Sequence, residues 1–195
     1  PKGAHRFATL SLRITQGKAG YLPAALSVYT SLFHFYMPVT MGLEPMLEAY
    51  RIGLASGCMF YGSLCLSVYT CLYIFCGLPL GHLVKDGRKF GGELKVCNQD
   101  FALAYVIAQY QLAINLTGQS SDPFDCSLAT LMKNDFFSEK LLTDSSDPFF
   151  LTLDYFQAFN SCLLHDYDRA EATMRRIMQR KSTRLSGSHF FNYFF

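Results

Sequence analysis

Apolar residues in this chain recur three and four positions apart or fill segments of a dozen or more, while two-residue alternation is rare. The pattern therefore predicts helices almost throughout. A first helix is expected over 4–16, closed by Gly17-Lys18-Ala19-Gly20, and a second from Pro23 to about Met37, with proline in the first-turn position it favours. Pro45 opens the next helix and Gly57 ends it; the following one runs from about Met59 to Cys76 and stops at Gly77-Leu78-Pro79. Segments 80–96 and 100–117 make a further pair, ended by Gly118. Segments 149–164 and 168–181 make the last, joined at His165-Asp166-Tyr167-Asp168. The phrase Ser-Ser-Asp-Pro-Phe occurs at 120–124 and again at 145–149. With Asp122 and Asp147 as N-caps and Pro123 and Pro148 one place inside, both copies read as helix starts. The fold class is all-α.

The helices repeat. Residues 26–36 (LSVYTSLFHFY) align without gaps on 66–76 (LSVYTCLYIFC) at an offset of 40, with seven of eleven positions identical, Tyr29 on Tyr69 and Phe35 on Phe75 among them. Arg13-Ile14 answers Arg51-Ile52, and a fainter copy sets Tyr110 against Tyr69 at an offset of 41. Two helices per period of about 40 is the pattern of an α-solenoid of antiparallel helix pairs, tetratricopeptide-like, in which each hairpin hides its apolar face on its neighbours. The expected units are 4–40, 44–77, 80–118 and 122–182. Second helices should be apolar nearly all round, and first helices should carry charges such as Arg13, Glu48, Arg51 and Lys85. In the last helix Ala170, Met174, Ile177 and Met178 form an apolar stripe opposite Arg169, Arg175, Arg176 and Arg180. The chain starts at Pro1 and ends on 185–195, which resembles the opening of a further buried helix, so it is expected to be a fragment of a longer array.

Composition narrows the picture. Of the 195 residues 50% are hydrophobic and 16% charged, which excludes a disordered chain. The formal net charge is +2, but residues 166–195 hold +3 of it and everything before them nets −1, so no general basic field exists to attract nucleic acid. Seven irregularly spaced cysteines sit in apolar runs, as free core thiols of a cytoplasmic protein do. Residues 19–43 and 52–84 carry no Asp, Glu, Lys or Arg, but glycines and prolines divide both stretches, and the richest part, 63–76, is shorter than the roughly 20 residues a bilayer requires. A fragment of a polytopic membrane protein is the alternative.

No reaction is legible. Gly17-Lys18 lacks the upstream glycine and the following Ser or Thr of a phosphate-binding loop, and Gly87, Gly91 and Gly92 are spaced wrongly for a dinucleotide fingerprint. Metal and nucleophile motifs are missing, and the histidines at 5, 34, 82, 165 and 189 never fall at spacings that bring two together. His34 reads as a hydrogen-bonded core residue, and Asp144, Asp147 and Asp154 as carboxylates around a helix start. No catalytic, cofactor or metal residue is predicted. The candidate for binding an acidic partner is the stripe Arg169, Arg175, Arg176 and Arg180, with a solvated helix face as the plainer reading. A stand-alone helical enzyme is a further alternative.

Several phrases together resemble a known family. Residues 45–57 (PMLEAYRIGLASG) look like "LLEGYxxGLExGD", residues 61–77 like "YAxYxxxxYxxxxFxxG", and Leu78-Pro79-Leu80 like "KPLxxL". Residues 104–118, with Gln109, Gln111, Asn115 and Leu116, are similar to the "xxxxQxxLNLxG" stretch that precedes a "DP" loop, here Asp122-Pro123. These belong to the helical-repeat region of large multidomain signalling ATPases, where it follows a protein-kinase-like domain and a STAND-type P-loop ATPase and precedes a histidine kinase or cyclase. Cys58-Met59 departs from the family's acidic turn. The resemblance implies a non-catalytic scaffold or regulatory segment that binds a protein, an effector or neighbouring domains of its parent.

Overall fold

Left-handed backbone marks the ends of helices. In the computed structural model, which describes residues 2–18, 20–33, 38–135, 137 and 147–183, positive φ occurs among those residues at Gly17, Gly57, Gly77, Asn98, Gly118 and His165. Each follows the last turn of a helix, and the set repeats. Gly17, Gly57 and Asn98 close the first helices of successive pairs at offsets of 40 and 41, and Gly77 and Gly118 close second helices at an offset of 41. At Asn98, Gly118 and His165 the following N–H reaches back five residues, as in Gln99 N to Leu94 O at 2.9 Å, and so satisfies a carbonyl the helix leaves open.

Nine α-helices and one short 3-10 helix are present among the described residues, with no strand: α1 Lys2–Thr15, α2 Leu22–Phe33, a 3-10 turn Val39–Gly42, α3 Leu43–Ser56, α4 Met59–Phe75, α5 Leu80–Val96, α6 Asp100–Leu116, α7 Leu128–Leu131, α8 Asp147–Leu163 and α9 Tyr167–Thr183. The chain divides into two compact units, Pro1–Leu78 and Pro79–Phe195. No helix among the described residues is long and apolar enough to cross a membrane.

In the first unit α1 packs on α2, α3 on α4, and α2 on both α3 and α4. The crossing of α3 and α4 is set by two glycines: a Cβ on Gly53 would lie 2.6 Å from the Cα of Gly62. The two aligned copies agree in burial at three positions. Ser27 and Ser67 are buried, as are Thr30 and Thr70, and Tyr29 and Tyr69 are both half-buried. The serine and threonine hydroxyls are satisfied by carbonyls of their own helices, as Ser27 Oγ donates to Ala24 O and Thr70 Oγ1 to Ser67 O. Val28 is 54% exposed where Val68 is 5% exposed, so the second copy is covered where the first is open.

In the second unit α5 packs on α6, α6 on α8, and α8 on α9. Helix α6 is buried nearly all round, with Leu103, Ile107 and Leu112 wholly out of water; each such side chain stabilises the fold by about 1.5–3 kcal/mol. The edge of the Tyr110 ring lies against Gly87 of α5, where a Cβ would come 2.6 Å from its Cδ2.

Two expectations change. The buried stripe of α9 is Ala170, Thr173 and Ile177, at positions i, i+3 and i+7, whereas Met174 is 39% and Met178 64% exposed. The methionines fall one step further around the helix than the face α8 covers. Of the two Ser-Ser-Asp-Pro-Phe phrases, Asp147-Pro148 opens α8, but 121–127 is an irregular loop. There Asp122 Oδ1 accepts the N–H of Phe124 at 2.9 Å and makes a local turn in place of a helix cap. His34, Asp144 and 185–195 lie outside the described residues.

Candidate functional site

The loop that failed to become a helix is held by three side-chain amides. Asn160 Nδ2 of α8 donates to Pro123 O at 2.6 Å, Gln157 Nε2 to Phe124 O at 2.5 Å, and Asn115 Nδ2 of α6 to Asp125 O at 3.0 Å. Gln157 turns its oxygen to the N–H of Cys126 at 3.0 Å, so four consecutive residues of the loop are gripped through their backbone. Asn115 is itself oriented by Gln111 Nε2, 2.9 Å from its Oδ1. Buried backbone groups outside regular structure must find such partners, and here the neighbouring helices supply them.

The fixed loop forms one wall of a cleft of about 450 Å³; α8 contributes Phe150, Leu153, Asp154 and Gln157, and α9 contributes Arg169, Thr173 and Arg176. A site of this volume is within the ordinary range for small ligands. Arg169 lays its guanidinium over the Phe124 ring, 5.1 Å from the centroid, with Nε 3.3 Å from Asp166 Oδ2. Asp166 also accepts the N–H of Arg169 at 3.1 Å and so caps α9. Arg176 sits 3.5 Å from Asp154 Oδ1 and donates to Thr173 Oγ1 at 3.2 Å.

The predicted arginine stripe is thus divided. Arg169 and Arg176, seven residues apart, share the cleft face. Arg175 turns to Glu171 in solvent, at 2.6 Å, and the side chain of Arg180 lies outside the described residues. Asp154, expected near a helix start for capping, stands two turns into α8, where its side chain is only 13% exposed and faces Arg176. The gripping amides Gln157 and Asn160 carried no sequence signal, because their partners are loop carbonyls more than thirty residues away. Asn115 stood inside a recognisable phrase, without its role.

Three buried thiols are held in the protonated form. Burial pushes the Cys126 thiol up to about 12, helped by the Asp125 carboxylate, against the opposing hydrogen bond from Asn115. Cys65 and Cys71 are likewise raised to about 12 by burial, so all three stay protonated at neutral pH, whereas a reactive cysteine needs its thiolate. At Asp125 burial raises the carboxyl, but the Thr130 and Ser127 hydroxyls, the Ser127 N–H and the Lys133 charge outweigh it and hold it low. Among the described residues no group of three His, Cys, Asp or Glu is placed to hold a metal ion.

Compared with known families, curated proteins and solved structures, the chain matches no family model, no curated protein and no solved structure.

Proposed function

We propose that this chain is a non-catalytic, partner-binding segment built of stacked helix pairs, an α-solenoid with a period near 40, serving as scaffold and regulator in a cytoplasmic multidomain signalling ATPase or kinase. The observation that carries the reading is the recurrence of left-handed helix stops at Gly17, Gly57 and Asn98 and at Gly77 and Gly118. Recurring stops at offsets of 40 and 41 give units of constant length, and a constant unit is what stacking of equivalent hairpins requires. The pairwise packing of α1 with α2, α3 with α4, α5 with α6 and α8 with α9 supports it. The mechanism is a change of curvature: a partner seated against one unit favours one arrangement of the array and so biases the modules joined to it. The parent assignment rests on the phrases at 45–57, 61–80 and 104–123.

The test compares nucleotide hydrolysis and output activity of the full parent protein with and without residues 4–182. The proposal expects intact chemistry in the isolated ATPase and output domains and lost regulation. Unchanged regulation without the segment, or turnover by the segment itself, refutes it.

A further inference from the structure

We infer that the outward face of α1, carrying Phe7, Leu10 and Ile14 beside Arg6 and Arg13, lies on an anionic lipid surface. The inference goes beyond the scaffold reading and stands on α1 alone.

Helix α1 packs on α2 and buries Ala8, which is 3% exposed. Phe7, Leu10 and Ile14 are instead 76%, 50% and 59% exposed. At about 100° per residue these three fall within an arc of about 60°, centred about 130° from Ala8. Arg6 and Arg13, both exposed, occupy the adjoining arc of about 60°. Among the described residues neither arginine makes an ion pair. Nor does the nearby sequence offer them a carboxylate: residues 1–43 hold four Lys and Arg and no Asp or Glu.

Stacking of helix pairs does not account for this face, as the second copy of the repeat makes plain. Arg13-Ile14 answers Arg51-Ile52, and in that register buried Ala8 answers buried Met46. Arg6 and Leu10 then answer Glu44 and Glu48, which pair with Arg51 at 3.3 and 3.4 Å in an exposed cluster. Helix α3, packed on α2 and α4, thus turns this side to water and makes it polar. On α1 both acids are replaced, one by a cation and one by leucine. Apolar side chains edged by cations on a single convex helix are what an interfacial helix uses. The apolar side enters the headgroup boundary and the arginines reach the lipid phosphates, whose negative potential attracts them. Three side chains over two helical turns fall short of the roughly 800 Å² per partner that a stable protein interface buries. A helix lying in the plane of a bilayer needs no groove and no matching partner surface.

Co-sedimentation of the full chain with vesicles of phosphatidylserine and phosphatidylcholine in equal parts tests this, against vesicles of phosphatidylcholine alone. Saturable binding is expected, about tenfold tighter on the anionic vesicles and weakening as salt rises. Arg6→Gln and Arg13→Gln should each weaken it about fivefold, the factor one cation contributes near such a surface. Leu10→Glu, which installs the acid that α3 carries, should weaken it about tenfold; the position is exposed, so the packing on α2 is left alone. Arg175→Gln removes one charge from α9 and should change binding by less than about twofold. The chain has no tryptophan, so Phe7→Trp reports from the face itself, and its emission should shift to the blue on anionic vesicles. Equal binding to both vesicles, no sedimentation, or unchanged binding of Leu10→Glu overturns the inference. So does Phe7→Trp emission that stays put while the chain sediments. A vesicle-free dimer, seen by analytical ultracentrifugation and dissolved by Leu10→Glu, would overturn it too, because the face would then belong to a second copy.

Discussion

Replacing Asn115 by alanine removes one amide from the middle of a chain of buried hydrogen bonds. Three contacts go at once: Nδ2 to Asp125 O at 3.0 Å, Nδ2 to Cys126 Sγ at 3.2 Å, and Oδ1 from Gln111 Nε2 at 2.9 Å. Asp125 O is only part-buried, so water can replace Asn115 there and that loss is about 1 kcal/mol. Gln111 is only 3% exposed and its amide N–H is left inside without an acceptor, which costs about 1–3 kcal/mol more. The sum, about 2–4 kcal/mol, is a large share of the 5–15 kcal/mol a domain has. At about 2–4 °C per kcal/mol for a chain of this size, Tm falls by about 5–15 °C. Hydrogen exchange followed by mass spectrometry locates the loss, with protection falling over 123–127 and along α6 while Pro1–Leu78 serves as internal reference. Replacing both partners, as Gln111→Leu with Asn115→Leu, leaves no orphaned donor on α6 and should recover about half of the lost stability. A single variant melting within about 1 °C of the parent, or unchanged exchange over 123–127, would show that the amides do not hold the loop.

The close approach of α3 and α4 gives a second expectation: Gly53→Ala drives a Cβ to 2.6 Å from Gly62 and should destabilise by about 1–3 kcal/mol in urea titration. Gly81→Ala, in α5 with open space around it, should instead stabilise by about 0.4–1 kcal/mol; the same sign for both refutes the packing argument. Alkaline pH gives a third. Cys65 and Cys71 ionise near their ordinary 9.0 when unfolded but only near 12 in the fold, because burial disfavours the thiolate. The folded state then keeps protons that the unfolded state releases, so stability is full below about pH 9 and is lost as pH rises toward 12. Melting temperatures from pH 7 to 11 should fall at the alkaline end, less steeply in Cys71→Ala, and a flat profile contradicts the burial. A thiol reagent at neutral pH should modify exposed Cys162 well before buried Cys65 and Cys71; equal rates would count against the core as described.

Helices were legible where local chemistry decides them. The pair expected at 80–96 and 100–117 is found at Leu80–Val96 and Asp100–Leu116, because glycine, proline and periodicity act within a few residues. Where distant groups decide, the sequence was silent. The same Asp-Pro-Phe opens a helix at 147–149 and stays a loop at 122–124. After the second copy comes the apolar run Phe150-Leu151, which α8 buries or half-buries; after the first comes Asp125-Cys126-Ser127, whose backbone the amides of Asn115 and Gln157 claim. The arginine stripe is divided for a similar reason. Which of its members faces a cleft depends on Asp154, which belongs to another helix, and no periodicity within α9 reports that.

The periodic account is tested most directly by excising one whole period, residues 38–77, so that Met37 joins Leu78 at the point equivalent to Gly77. A chain of repeating two-helix units should lose helix signal only in proportion to its length and still unfold in a single sharp thermal transition, as circular dichroism would record. A shortened chain that has lost cooperative melting, or whose helicity per residue has collapsed, would contradict the repeat.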